Sequence, residues 1–234
     1  MILSFPEGTT TSDARIPRLE LIVRAQGALL DTGARLGVFG GAYNPITRAH
    51  LVLARSAASQ MHLHEVIFVL SRIPPHKPLF GSSIGQRLEM MRLAAAEVPF
   101  ASVGLCSHGL FLDICAALRK VYPQNPELFF ITGRDAAERI LSWPYADPDE
   151  ALKKMFSEFQ LLVFERHGKL TLPAIPLIQQ YSSRIHPMQL PEDLEHISST
   201  RVRQLTRTGR PLEDLVPEEV AAYIAKHGLY RGEE

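Results

Sequence analysis

Cysteine is scarce in this chain: Cys106 and Cys115 are the only two in 234 residues. They are too few for a disulfide framework and lack the paired spacing of a structural zinc site, so the sequence reads as that of a protein from a reducing compartment. No apolar run approaches the roughly 18–20 residues that a membrane-spanning helix needs. The opening MILSFPEGTTTSDARIPRL lacks the basic stretch and apolar run of a secretion signal. A cytoplasmic location without membrane attachment is the expectation. An excess of one charge is missing too, since 25 Lys and Arg offset 25 Asp and Glu. That balance argues against a general nucleic-acid coat or a polybasic membrane binder. With 46% hydrophobic and 21% charged residues, the composition supports a sizeable core, and one large domain is expected.

Residues 1–14 are rich in Ser, Thr, Gly and Pro and read as an arm that leads into a helix over Arg15–Leu30, so that 1–34 form an N-terminal arm and helix and 35–234 the main domain. From Leu36 onward short apolar runs alternate with segments of helical period, the pattern of repeated strand-helix units. Strands are predicted at Leu36–Phe39, Glu65–Leu70, Ala101–Leu105, Leu128–Ile131 and Gln160–Phe164. Helices are predicted at Ala49–Gln60, Gly85–Glu97, Phe111–Val121, Ala136–Leu141, Ile197–Arg207 and Val216–His227. The expected fold is α/β: a doubly wound, Rossmann-like parallel sheet with a small helical C-terminal extension. In the first helix Ala49, Val52, Leu53 and Ala57 recur at spacings of three and four, which buries that face against a sheet. The loop before it therefore sits at a strand's carboxyl end, where open parallel sheets bind ligands.

That loop and the start of its helix read GGAYNPITRAH from Gly40 to His50. Gly40 and Gly41, followed by Ala42 and Tyr43, let the backbone approach a ligand, and the free amides of the helix start attract a phosphate. Thr47 fits the N-cap, which makes His50 the third helical residue and brings a hydroxyl and an imidazole to the same end. The segment is neither the dinucleotide-binding Gly-x-Gly-x-x-Gly fingerprint nor the Walker lysine loop. His62 and His64 lack the carboxylates or cysteines that would complete a metal site, Met90 and Met91 read as core, and no protein metal cage is expected.

GGAYNPITRAH resembles the signature loop of the nucleotidylyltransferase superfamily, and further stretches match its bacterial nicotinate-nucleotide adenylyltransferases in order. Pro74, Pro75, His76 and Lys77 look like that family's Pro-Pro-His-Lys loop, and Gln86, Arg87, Met90 and Leu93 fit the helix after it. FITGRD, from Phe130 to Asp135, with Trp143 downstream, is similar to its Gly-x-Asp segment and tryptophan. ISSTRVR, from Ile197 to Arg203, is similar to its Ile-Ser-Ser-Thr-x-x-Arg motif, and VPEEVAAYIAKHGLY to its last helix. Two departures stand out. Thr47 replaces the first histidine of the signature, as in the Pro-Ile-Thr-x-Gly-His loop of phosphopantetheine adenylyltransferases, and Ala49 replaces a glycine. At GLFLDI, Gly109 to Ile114, only Asp113 remains of the usual Ser-Tyr-Thr-x-Asp-Thr.

The resemblance implies adenylyl transfer from ATP, with Mg2+ arriving on the triphosphate, to a phosphorylated acceptor, nicotinate mononucleotide first, giving deamido-NAD and pyrophosphate. His50, Thr47, Lys77 and Arg203 are then the expected catalytic residues: His50 donates to the α-phosphate, Thr47 orients the attacking phosphate and Lys77 adds charge from its loop. Gly40, Gly41, Ala42, Tyr43, Gly133, Asp135, Ser198, Ser199 and Thr200 are expected to hold the nucleotide. Lys77, Asp113 and Trp143 are expected around the acceptor. Read without the resemblance, Asp135 serves equally as a helix cap, Trp143 as half-buried core, and Ser198 to Thr200 as a plain cap. Arg207 and Arg210 join Arg201 and Arg203 in a basic run, but no nucleic-acid partner is expected, because overall charge is neutral and aromatics are not interleaved. A different donor or acceptor is one alternative, a nucleotide binder without catalysis is another, and homo-oligomerisation is left open.

Overall fold

The computed structural model describes residues 16–26, 33–73, 80–165, 172, 175–189, 194 and 196–232. Among them, seven strands form one sheet: β1 (Leu19–Val23), β2 (Arg35–Gly41), β3 (Glu65–Ser71), β4 (Ala101–Cys106), β5 (Glu127–Gly133), β6 (Phe159–Glu165) and β7 (Ile185–Gln189). The helices are α1 (Arg48–Met61), α2 (Ile84–Ala95), α3 (Phe111–Val121), α4 (Arg134–Leu141), α5 (Pro148–Glu158), α6 (Pro176–Gln180), α7 (Ser199–Arg207) and α8 (Glu218–Lys226). The strand order is β1-β4-β3-β2-β5-β6-β7. Every pair is parallel except β1 with β4. From β2 the chain winds outward through β3 and β4, then returns to lay β5, β6 and β7 on the other side. This is the doubly wound arrangement expected.

Both faces of the sheet are covered, as parallel strands require. Phe39, Phe68, Met90, Met91 and Val220 belong to one buried cluster, with α1, α2, α7 and α8 on that face. Leu36, Val38, Phe111, Phe130 and Phe156 belong to the other, with α3 to α6. Neighbours along β2 alternate between the clusters because successive side chains point to opposite faces.

The helix expected over Arg15–Leu30 gives way to a strand at Leu19–Val23. Here the tertiary partner outweighs local propensity. β4 offers an open edge, and β1 takes it antiparallel from Leu19↔Cys106 to Val23↔Val103. The pairing is extended by Arg18 N–H to Ser107 Oγ and Ala25 N–H to Ser102 Oγ, both at 2.9 Å. Three elements that sequence reading missed lie beyond α4. α5 has an explicit start signal, Asp147 accepting from Glu150 N at 3.0 Å with Pro148 in the first turn. α6 is one short turn, and β7 carries Pro187, tolerated because it is an edge strand.

Cys106 and Cys115 are buried thiols. Burial pushes Cys115 up to about 12, and burial, aided by the Asp113 charge, pushes the Tyr145 phenol up to about 12. Tyr122 is raised too, by burial and then by the Glu65 carboxylate that accepts its hydroxyl proton. Each group stays protonated in the fold where the unfolded chain ionises, so its stabilisation is complete below the unfolded value and disappears as pH rises towards the folded one. Urea midpoints are therefore expected to fall progressively from about pH 8.5 towards about pH 12, and Cys115→Ala to flatten the early part of that fall. A flat profile across that range would contradict the burial.

Candidate active site

The strand order reverses between β2 and β5, so the loops leaving these neighbouring strands flank a crevice at the switch point. The first of them is the glycine-rich turn into α1. Tyr43 folds back under its own loop. Its ring is buried, its hydroxyl donates to Phe39 O, and its phenol is raised well above the usual value by burial. A Cβ at Gly41 would lie 2.8 Å from Tyr43 Cζ, so glycine is needed there to seat this ring. Tyr43 thus supports the loop through its side chain, and only its backbone is left to meet a nucleotide.

The edge of that ring packs on His50, with centroids 5.2 Å apart, and Phe39 lies 5.7 Å from the same imidazole. Thr47 is the N-cap of α1 and His50 its third residue, and the two are joined reciprocally. Thr47 N–H donates to His50 Nδ1 at 3.1 Å, and Thr47 Oγ1 lies 2.7 Å from the same nitrogen. A backbone N–H only donates, so Nδ1 must accept and the neutral ring carries its proton on Nε2. His50 is thereby set as a donor on its outer side. Thr47 is fully buried, and its hydroxyl acts on His50. The expected orientation of an attacking phosphate by Thr47 is replaced by orientation of the imidazole. Thr47→Val keeps the shape and the backbone donor but loses the hydroxyl. It is expected to lower turnover about 5- to 10-fold, as loss of roughly 1 kcal/mol of positioning would, while Thr47→Ser stays near the parent. Initial rates of both variants, measured side by side, check this.

The second wall comes from the C-terminal segment. Ser198 caps α7, accepting from Arg201 N at 3.1 Å, a bond that leaves its own proton unused. Ser199 Oγ donates to Pro45 O at 2.8 Å. Arg203, 8% exposed, donates through Nη1 to Asn44 O at 2.9 Å and through Nη2 to Thr200 Oγ1 at 3.4 Å, and its guanidinium lies over the Phe80 ring. The segment carrying Ser198 to Arg203 is thus tied directly to the loop that leads to His50. Ser199 and Arg203 provide those ties, Thr200 braces Arg203 within the helix, and Ser198 and the helix-start amides present donors for an anion.

Across the crevice β5 ends at Gly133, which caps α4 in an extended conformation. A Cβ there would meet nothing within 4 Å, so protein packing does not demand this glycine and space is left beside the strand end. Asp135 is not the cap. Its side chain, in the first turn of α4, is 80% exposed and 3.4 Å from Arg134 Nη2. The first turn of α3 reaches the same region, since Phe111 Cε1 would lie 3.8 Å from a Cβ at Gly40. Asp113 is in that turn, and its charge acts on the Tyr145 phenol two residues beyond half-buried Trp143. Tyr145 escaped the sequence reading, although a second aromatic so close to the tryptophan was a usable signal. Pro74 to Lys77 lie outside the described residues. His64 Nδ1 accepts from Arg35 N at 3.1 Å, a structural role.

The free amides expected at the start of α1 are largely taken up, Thr47 N–H by His50 Nδ1, Arg48 N–H by Leu215 O at 2.9 Å and His50 N–H by Thr47 O at 3.1 Å. A glycine-rich turn at the switch point, a fixed histidine behind it and a second helix start tied to that turn fit a nucleotidylyltransferase. Residues 38–205 match the cytidylyltransferase-like family, and the chain belongs to that family. It is 36% identical over 208 residues to the probable nicotinate-nucleotide adenylyltransferase of Carboxydothermus hydrogenoformans, covering 85% of this chain and 99% of that one. With the protein of the same name from Thermus thermophilus it shares 35% over 202 residues, 84% of this chain and 100% of the other. The fold is also that of Plasmodium falciparum nicotinic acid mononucleotide adenylyltransferase, solved in complex with NaAD. The TM-score is 0.62 at 20% identity, over 84% of this chain and 97% of that one.

Proposed function

We propose that this enzyme transfers the adenylyl group of ATP to nicotinate mononucleotide, releasing pyrophosphate and forming deamido-NAD. The observation that carries the reading is the locked His50 imidazole, set with Nε2–H as donor beside a turn tied to α7. An oxygen of the acceptor phosphate attacks the α-phosphorus in line. The new P–O bond forms as the bond to the β-phosphate oxygen breaks, and the electron pair leaves with pyrophosphate. Positioning and charge stabilisation supply most of the catalysis in such transfers. Nε2–H of His50 donates to an α-phosphate oxygen as negative charge builds, and the start of α7 holds the β- and γ-phosphates. Lys77 adds a cation. Gly133 and Asp135 border the nucleoside, and Asp113, Trp143 and Tyr145 border the acceptor ring. Mg2+ enters with ATP as part of the substrate, and the reaction is assigned to the cytoplasm.

Purified protein is incubated with Mg–ATP and, in turn, nicotinate mononucleotide, nicotinamide mononucleotide and phosphopantetheine, then with CTP replacing ATP, and pyrophosphate release is followed. Highest kcat/KM with ATP and nicotinate mononucleotide is the expected result. Preference for another pair would redirect the assignment, and ATP binding without release on any acceptor would refute catalysis.

A further inference from the structure

We infer that Arg87 is a positioning residue for the nucleotide-binding turn, clamped from the C-terminus by Tyr230. Arg87 is only 2% exposed. Its Nε donates to Ser82 O at 3.0 Å and reaches Ser82 Oγ at 3.3 Å, Nη1 donates to Ala42 O at 3.0 Å, and Nη2 donates to Phe80 O. The start of α2 is set for this by a reciprocal cap, Ser83 N to Gln86 Oε1 at 2.9 Å and Gln86 N to Ser83 Oγ at 3.3 Å. Beside it, Asn44 Nδ2 donates to Phe80 O at 2.9 Å, which leaves Asn44 Oδ1 to accept from Ser82 Oγ at 2.8 Å. With the serine proton so used, Tyr230 must be the donor in its 2.9 Å contact with Ser82 Oγ. Tyr230 holds this place with φ 61, a left-handed conformation that a bulky residue adopts only when its surroundings impose it. Gly81, at φ +80, passes so close that a Cβ would lie 3.2 Å from both Asn44 Nδ2 and Tyr230 Cε1.

The cluster does more than fill space. A buried guanidinium is costly to desolvate, and burial does lower its pKa. Its partners here are carbonyl and hydroxyl oxygens, one of them on the turn itself. In a trans peptide the C=O and the next N–H point opposite ways. By drawing Ala42 O to the rear, Arg87 turns the Tyr43 N–H to the opposite side, and it anchors the stretch that leads through Asn44 to Thr47 and His50. The consequence for turnover rests on the adenylyl-transfer reading, whereas that for loop order and ATP binding does not.

The test uses full-length Arg87→Ala, Arg87→Lys and Tyr230→Phe. It follows hydrogen exchange at amides 41–47, ATP affinity by calorimetry, kcat and KM, and circular dichroism. Folded Arg87→Ala is expected to exchange faster at the turn and to lose about 10²-fold in kcat/KM for ATP, the cost of a misplacement of about 1 Å. Added guanidinium should partly restore both, entering through the cavity of about 420 Å³ lined by Phe80, Gly81, Gln86, Arg203 and Tyr230. Arg87→Lys, which cannot span the same oxygens, should fall between alanine and the parent. A folded Arg87→Ala with parental exchange and ATP affinity overturns the inference. If that variant does not fold, Tyr230→Phe decides, since it removes one hydroxyl: faster exchange and weaker ATP binding support the clamp, and parental values overturn it. If exchange and ATP affinity respond while the parent itself shows no turnover, the positioning role stands and the adenylyl-transfer reading falls.

Discussion

Replacing His50 by alanine is expected to lower kcat about 10²- to 10³-fold, the range found when one preorganised donor to a developing oxyanion is removed. The expectation rests on how fully the imidazole is fixed. Nδ1 takes Thr47 N–H and faces the Thr47 hydroxyl, so the ring cannot turn over without orphaning a backbone donor, and the proton of the neutral ring stays on Nε2. The α-phosphate gains most of its extra negative charge on the way to the transition state, so loss of the donor should appear mainly in kcat and little in KM for ATP. Folding should be nearly unaffected. His50 is partly exposed, and Phe39 and Tyr43 keep each other as neighbours at 6.4 Å. His50→Asn retains a donor on a shorter side chain and should recover part of the loss. Steady-state rates with ATP and nicotinate mononucleotide, alongside melting curves, decide it. A kcat within about threefold of the parent would remove His50 from the chemistry.

The same residue shows how much of the site was legible. Two glycines after an apolar run, then a threonine three residues before a histidine at the start of a periodic helix, are local facts, and local facts locate a strand-turn-helix unit. They cannot say which way the threonine hydroxyl points. A phosphate and an imidazole nitrogen compete for it, and only the rotamers seen in the fold assign it to His50. Arg87 was equally opaque. Its number places it on a helix, but its burial needs oxygens from Ala42, Phe80 and Ser82, on two other stretches of chain. β1 shows the same dependence on distant partners, because LELIV becomes a strand only where β4 leaves an edge. Asp135 shows the reverse case: a good capping residue type is present, but Gly133 two positions earlier caps the helix. The five strands that were predicted are runs whose apolar residues are buried on both faces, and that needs no knowledge of partners.

The largest effect on stability is expected from Phe130→Ala. Phe130 lies in β5, fully buried, with Phe111 of α3 at 4.5 Å and Phe159 of β6 at 4.3 Å between ring centroids. Phe111 and Phe159 also meet, at 6.2 Å and 67°. Removing the central ring deletes the transfer energy of a large side chain, opens a cavity that two aromatic neighbours cannot fill without leaving their rotamers, and breaks both close ring pairs. Phenylalanine-to-alanine changes in such cores cost about 3–5 kcal/mol, and each ring pair contributes about 0.5–1.5 kcal/mol of it. Against a total stability of about 5–15 kcal/mol this is a large share. For a chain of this length it corresponds to a drop in Tm of about 6–20 °C. The loss should reach the site as well. Phe111 opens α3, whose first turn bears Asp113 and packs towards Gly40 at the end of β2. Slack there should raise KM for the acceptor more than KM for ATP, in variants assayed well below their melting temperature. Phe130→Leu keeps most of the volume and should lose less than half as much. Thermal and urea unfolding of the three proteins test the packing, and the two Michaelis constants test its reach. A Tm within about 2 °C of the parent for Phe130→Ala would mean that the ring cluster relaxes far more readily than a close-packed core allows.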